Sequence, residues 1–276
     1  MLFRSHPFHQ HAQVDYFLAL RGGEVVGRIA AIENYAHNDY HNERIAFFGF
    51  LDVDYKEGEE VFAALLGRVE RWAGKRGLTE VRGPCSFSTN EEVGLLINAF
   101  QTPPVVMSTW NPPNWPPMVE AAGYEKAKDL YSWFLEESIF TDRFRQLAER
   151  VEKKFETRGE NVVTRAVDMK RFGEELERVR VIYNSAWAKN WGFVPITPPE
   201  IQFLAKEVKP IIVPELIRFI EVNGKPAGFT WMLPNYNEAL RYMNGRLGPR
   251  EIALFLLMKG RIKGVRVLTM GVVEEY

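Results

Sequence analysis

Residues 17–34 read FLALRGGEVVGRIAAIEN and residues 218–235 read RFIEVNGKPAGFTWMLPN, and the two stretches align without a gap. A chain that writes one unit twice is expected to build it twice, so this repeat constrains the fold first. In each copy an apolar run meets a glycine, Gly23 or Gly224, and a second run carrying Gly27 or Gly228 follows. Glycine accepts the positive φ of a tight turn, so each copy is predicted to be a β-hairpin. A third β-rich stretch with a central glycine comes next, over 47–53 in the first copy and 265–273 in the second. The second copy places far more chain between Gly228 and Gly271 than the first places between Gly27 and Gly49. The excess falls in 237–263, where Leu247, Ile252, Leu256 and Leu257 predict an inserted amphipathic helix.

After its third strand the first copy carries Val61, Leu65, Leu66, Val69 and Trp72 at helical spacing over 59–76, then Gly77 and a strand over 78–82. That order is a strand, helix, parallel-strand crossover. Ser88 with Glu91, or Thr89 with Glu92, has capping-box spacing ahead of the apolar 93–97, which predicts another helix. A proline-rich loop over 102–117, a short helix and a strand over 129–135 follow. Residues 138–159 read as a charged helical connector. The second copy opens with a strand over 161–167, a long helix over 170–189 and a helix near 199–208, before its hairpin. The predicted class is α/β, with domains at 1–137 and 161–276 and a connector at 138–160.

A chain of 276 residues with 46% hydrophobic content can bury two modest cores. Its 35 basic and 36 acidic side chains leave a formal charge of −1, so no surplus field gathers a phosphate backbone or an anionic bilayer. Neither nucleic acid nor a membrane is an expected partner. The early residues include Arg4, His6, His9 and His11, which suit neither a signal peptide nor an anchor. Cys85, the single cysteine, permits no internal disulfide and reads as a small buried apolar residue. A cytoplasmic location is the expectation.

The stretches HPFHQHAQVDYFLA, GRIAAIEN, FFGF, RGPCSFSTNEEVGLLINAF, NPPNW and KAKDLYSW, then YNSAWAKNWGFVP and LPNYNEALRYMNGRL, cover most of the chain. With the order of elements above, they resemble the GNAT superfamily of acyl-CoA-dependent acyltransferases, in the form of bacterial tandem-GNAT proteins. The resemblance implies two tandem GNAT-like mixed-sheet domains, the second incomplete. It implies an N-acyltransferase that moves an acyl group from acetyl-CoA or another acyl-CoA to a small-molecule amine. In that scheme the backbone of Met270, Gly271, Val272 and Val273 pairs with the pantetheine amides of the donor. Tyr183, Trp187, Asn190 and Trp191 would cover the acceptor pocket. No catalytic base or acid is assigned.

Members of that superfamily follow this strand with an Arg/Gln-x-x-Gly-x-Gly/Ala loop whose free N–H groups cradle the CoA pyrophosphate. The first half has DYKEGEEV over 54–61 instead, with acids that repel a pyrophosphate. The second half reaches MGVVEEY and stops, so a chain clipped at both ends and inactive as it stands is expected, with loss of the catalytic end as the other explanation. A non-catalytic tandem module that binds a small molecule or a protein is the alternative function. A Fem-type aminoacyl transferase is a further one, disfavoured by the weak basicity that tRNA would meet.

Three clusters remain. Ser86, Ser88, Thr89, Asn90, Glu91 and Glu92 offer donors and carboxylates at one helix start, where Asn90 and Glu91 could meet substrate or simply cap the helix. His37 and His41 have the four-residue spacing of metal ligands, but AHNDYHNER lacks a convincing third ligand and reads as a polar turn, so no metal is expected. Trp110, Asn111, Asn114 and Trp115 sit among prolines, as pocket walls or as stiffened loop packing. The aromatic spacing of Tyr183 and Trp187 fits core as well as pocket.

Overall fold

The computed structural model describes residues 5–276. It is a mixed α/β chain in two compact units. One takes the residues up to Asp129 together with Asn190–Ile196, and the other takes Leu130–Lys189 with Thr197–Tyr276.

In the first unit, β1 (Ala12–Arg21) and β2 (Glu24–Asn34) form the predicted hairpin, turning through Gly22 at φ 59° and Gly23 at φ 93°. Helix α1 (Tyr35–His41) then leads to β3 (Ile45–Val53), antiparallel to β2. Helix α2 (Glu59–Lys75) crosses over to β4 (Glu80–Arg82), parallel to β3, so the sheet order is β1-β2-β3-β4. Alternate residues explain why β2 and β3 are apolar on both sides. Ile29, Ala31, Ala46 and Phe48 pack with Phe62, Leu66, Val69 and Trp72 of α2, whereas Ala30, Ile32, Ile45 and Phe47 pack with Phe8, Cys85 and Phe87. Each large side chain so buried contributes roughly 1.5–3 kcal/mol.

Two short strands, β5 (Cys85–Ser86) and β6 (Glu92–Val93), pair antiparallel, and α3 (Trp115–Ala121) closes the unit's core with Trp115 and Val119. Segment 83–86 lies against β3 so closely that a Cβ on Gly49 would stand 1.8 Å from the Cys85 carbonyl oxygen. The central glycine of β3 is therefore a backbone contact.

Two predictions fail in this unit, and a third fails where the second unit begins. No helix forms at Ser88–Ile97. Glu91 does reach back, accepting from the Phe87 and Ser88 N–H groups at 3.0 and 3.1 Å, as a capping box requires. Glu92 and Val93 are then drawn into pairing with β5, and Gly94 turns at φ 85°. The polar turn expected at 36–44 is instead helix α1, capped by the Asn34 side chain and closed by Asn42 at φ 53°. The strand expected over 129–135 does not form, because a run of strand-favouring side chains has no neighbouring strand to pair with there.

The second unit begins with α4 (Asp142–Thr157), followed by β7 (Val162–Ala166), α5 (Phe172–Ala186) and α6 (Pro198–Val208). Thr197 and Glu200 complete a capping box on α6, with Pro198 in its first turn. Then β8 (Ile217–Val222) and β9 (Lys225–Pro234) form the second hairpin, turning through Asn223 at φ 52° and Gly224 at φ 76°. Helices α7 (Asn237–Leu240) and α8 (Pro249–Lys259) precede β10 (Val265–Val272), which is antiparallel to β9. These helices fill the extra length of the second copy, although Leu247 lies outside α8 and Ile252, Leu256 and Leu257 are exposed. The order is β10-β9-β8-β7, so β10 has β9 on one edge and no strand on the other among the described residues. No helix of the described residues is long and apolar enough to cross a membrane.

Candidate functional site

The candidate site residues fall into two groups, one in each unit. In the second unit, α5 packs on β9 and β10. Its C-cap residue, Trp187, stacks on Tyr183 with ring centroids 5.2 Å apart and donates its indole N–H to the Met270 carbonyl at 2.9 Å. A Cβ on Gly271 would stand 2.9 Å from the Ala186 Cβ, so only glycine lets strand and helix end come this close. Val273 donates its N–H to Ala227, toward β9, while Met270 shows its carbonyl to the opposite edge. By the alternation of an antiparallel ladder, the peptide groups of Val272 share that open edge with Met270. Of the four strand residues expected to meet a donor, Met270 thus has its carbonyl engaged by Trp187, and Val272 offers the free pair.

Asn190 and Trp191 do not continue the aromatic face of α5, which ends at Ala186. They belong to the segment that packs in the first unit, where Trp191 lies under the Arg82 guanidinium at 5.7 Å. The turn at 88–91 holds that segment. Thr89 donates its hydroxyl to the Gly192 carbonyl at 2.6 Å, and the Asn90 side chain donates to the Val194 carbonyl at 3.0 Å. With Glu91 bonded to its own turn, this cluster acts as a clasp on 190–196. Its capacity for hydrogen bonds is largely engaged.

Beside the clasp lies a charged network that the sequence reading missed. His37, 2% exposed, meets Glu43 at 2.8 Å, and Arg82 approaches the same carboxylate at 3.3 Å through both terminal nitrogens. His41 stacks near His37 at 4.4 Å and donates its Nε2–H to the Phe193 carbonyl at 2.7 Å. Burial pushes the His37 imidazole below its ordinary value, more than Glu43 can raise it. Burial alone would raise the Glu43 carboxyl, but the bonds from His37 and Arg82 outweigh it and hold the group low. The sequence signal was Asn34 and Asn42 bracketing a helix, which sets both histidines on one face. Among the described residues no group of three His, Cys, Asp or Glu is placed to hold a metal ion.

The first unit also has a cleft of about 240 Å³ lined by Arg28, Asp52, Ser86, Glu92, Trp110 and Asn111, among others. Arg28 pairs with Asp52 at 3.3 Å. Asn111 is buried and bonded through both side-chain atoms to the backbone of Leu96 and Pro112, so it braces the proline-rich loop. Ser86 accepts from the Phe50 N–H at 2.9 Å. Burial pushes the Cys85 thiol up to about 12, which leaves it a packing residue and no nucleophile.

An acyl-CoA donor needs an acceptor and donor edge for its amide arm and free N–H groups for its phosphates. The Val272 edge suits the first. After β3, Gly58 caps α2, Glu59 and Glu60 fill its first turn, and Arg21 pairs with Glu57 and Glu60 at 3.0 and 3.1 Å. After β10 the residues are Val273, Glu274, Glu275 and Tyr276, and Lys189 pairs with Glu274 at 2.5 Å. Among the described residues, the open peptide of Val272 lies on one edge of β10, and acidic side chains follow both β3 and β10.

No family model matches the chain. Over 277 residues it is 38% identical to the bacterial ceramide synthase of Caulobacter vibrioides (strain NA1000 / CB15N), covering 99% of this chain and 70% of that protein. It is 34% identical over 280 residues to Protein YghO of Escherichia coli (strain K12), covering 100% of this chain and 69% of that one. Among solved structures, a tandem GNAT protein from the clavulanic acid biosynthesis pathway aligns with a TM-score of 0.37 at 12% identity, over 83% of this chain and 60% of that chain. The L-PGS of Bacillus licheniformis aligns at 0.33 and 11%, over 93% and 68%. Scores this low carry no argument.

Proposed function

The chain belongs to the family of the bacterial ceramide synthase of Caulobacter vibrioides and YghO of Escherichia coli, and from that membership we propose that it serves acyl transfer to the amino group of a long-chain amino alcohol. The observation that carries this reading is 38% identity running over 99% of the chain. A ceramide is an N-acylated amino alcohol, so its formation from a thioester makes one C–N bond and breaks one C–S bond. The amine proton leaves and the departing thiolate is protonated.

On this reading the protein takes the tandem GNAT form, with β1-β2-β3 and β8-β9-β10 as its two equivalent three-stranded sets. The first unit is the non-catalytic one, since the acids at the start of α2 disfavour an anionic donor. In the second unit, the Val272 edge orients the amide arm of the donor, while Trp187 fixes the strand and Tyr183 lies beside it. The grip on the donor's phosphates is not among the described residues, so no step is assigned to it. An acyl-CoA is the expected co-substrate.

The test is to incubate the protein with a long-chain acyl-CoA and a long-chain amino alcohol and to look for the amide by mass spectrometry, with calorimetry on each substrate. Amide product supports the reading, as does binding of the amino alcohol with weak or absent CoA binding. If neither substrate binds and no amide forms, the reading fails.

A further inference from the structure

In the second unit, the stretch Leu130–Phe144 carries its largest apolar side chains in the open. Trp133 and Phe134 are 82% and 83% exposed, and Leu130, Tyr131, Leu135, Ile139 and Phe140 are exposed with them. Helix α4 continues the same surface, with no buried residue at all. Phe144, Leu147, Val151 and Phe155 recur at helical spacing and form one apolar row. Directly beside that row, at positions i, i+7 and i+11, stand Arg143, Arg150 and Lys154, and the acids Glu149, Glu152 and Glu156 fall on the other flank. Arg143, Arg150 and Lys154 make no ion pair among the described residues and stand on the flank away from Glu149, Glu152 and Glu156.

We propose that Leu130–Thr157 is a membrane-surface docking segment that lays its apolar row and its aromatic lead into an anionic bilayer, with Arg143, Arg150 and Lys154 on the lipid phosphates. A segregated apolar face with a basic flank is the pattern of a helix lying in the headgroup plane, and Trp and Tyr favour that depth. The formal charge is −1 for the whole molecule, and 130–157 carries five basic against six acidic side chains, so the attraction rests on the sorting of the helix charges into a basic and an acidic flank. Attraction to lipid is local, because charges beyond a Debye length are screened. This inference extends the proposed function, whose amino alcohol and acyl product partition into bilayers, and it places the enzyme where they are.

The test is flotation of the full chain with vesicles of phosphatidylglycerol and phosphatidylcholine, and with vesicles of phosphatidylcholine alone. Two variants accompany it, Trp133→Ser with Phe134→Ser, and Arg143→Glu with Arg150→Glu and Lys154→Glu. These side chains are exposed, so circular dichroism and thermal midpoints should stay as in the wild type. The wild type should float with the anionic vesicles and come off at high salt. The charge-reversed variant should lose on the order of a hundredfold in partitioning, from the usual contribution of each cation near an anionic surface. The aromatic variant should lose binding to both vesicle types. Wild type that stays in solution overturns the proposal, as do variants that float equally well. A dimer dissolved by the aromatic variant, with no vesicle binding, assigns the face to a second copy instead. Amide formation from detergent-dispersed amino alcohol separates the two ideas, since it succeeds or fails independently of flotation.

Discussion

Trp187 donates its indole N–H to the Met270 carbonyl at 2.9 Å, tying the end of α5 to the open edge of β10. That bond occupies an acceptor that would otherwise be available to a ligand lying along the strand. It also fixes where the edge sits. Trp187→Phe keeps a ring to stack on Tyr183 but removes the donor, so the second unit should lose about 1 kcal/mol, near the net worth of one such bond. Urea unfolding followed by circular dichroism measures this. An unchanged midpoint would mean that the bond contributes nothing.

Gly49 and Gly74 should respond to the same substitution with opposite signs. A methyl at Gly49 would collide with the Cys85 carbonyl at 1.8 Å, backbone against backbone, so Gly49→Ala should cost more than about 3 kcal/mol and yield little folded protein. Gly74 lies in α2 with open space around it, and Gly74→Ala should stabilise by roughly 0.5 kcal/mol through helix propensity. Thermal midpoints that move together in both variants would refute the close approach.

What the sequence made legible was periodic. The two hairpins, the α2 crossover to β4 and the helix in the insertion before β10 follow from spacing two or 3.6 and from glycine at turns. What it hid depends on distant partners. Ser88 and Glu91 carry a helix signal that pairing with Cys85 and Ser86 overrides. Residues 129–135 are rich in the aromatic and apolar side chains that favour a strand, yet no sheet edge receives them. Asn190 and Trp191 look like the next turn of α5, but the chain leaves the helix at Ala186 and the clasp of Thr89 and Asn90 holds it elsewhere. Periodicity along one segment cannot report a hydrogen bond to a residue a hundred positions away.

Glu175, 1% exposed, is held by Arg165 through two bonds of 2.7 and 3.1 Å and by Arg178, while Arg165 also reaches Glu221 at 2.8 Å. Removing this buried carboxylate leaves Arg178 without its carboxylate partner and Arg165 with Glu221 alone. Glu175→Ala should therefore cost roughly 3–5 kcal/mol, and Glu175→Gln somewhat less. Because Arg165 is on β7 and Glu175 on α5, the loss should unfold the second unit and leave the first with its own transition. Calorimetry resolves the two. A single unchanged transition in Glu175→Ala would show the pair to be dispensable.

The network of His37, Glu43 and Arg82 sets how the first unit answers acid. Burial holds the His37 imidazole below its ordinary 6.5, so below that pH the unfolded chain takes up a proton that the folded one refuses. Stability is full above 6.5 and falls as pH drops through it toward the lowered folded value. Glu43 acts lower down and in the same direction: its folded carboxyl is held below the ordinary 4.5, so its contribution is present above 4.5 and disappears as pH falls through the depressed value. The groups facing His37 are Glu43, Arg82 and His41, and of these Arg82 and His41 resist its protonation while Glu43 favours it. Urea midpoints of the first unit should thus be flat from pH 8 to 7 and decline from about 6.5 downward. His37→Gln should remove the upper part of that decline, keep the part near pH 4, and lower stability by roughly 1–3 kcal/mol at neutral pH for the disturbed buried bond to Glu43. Should the wild type hold its midpoint from pH 7 to 5, the buried imidazole does not behave as its surroundings require.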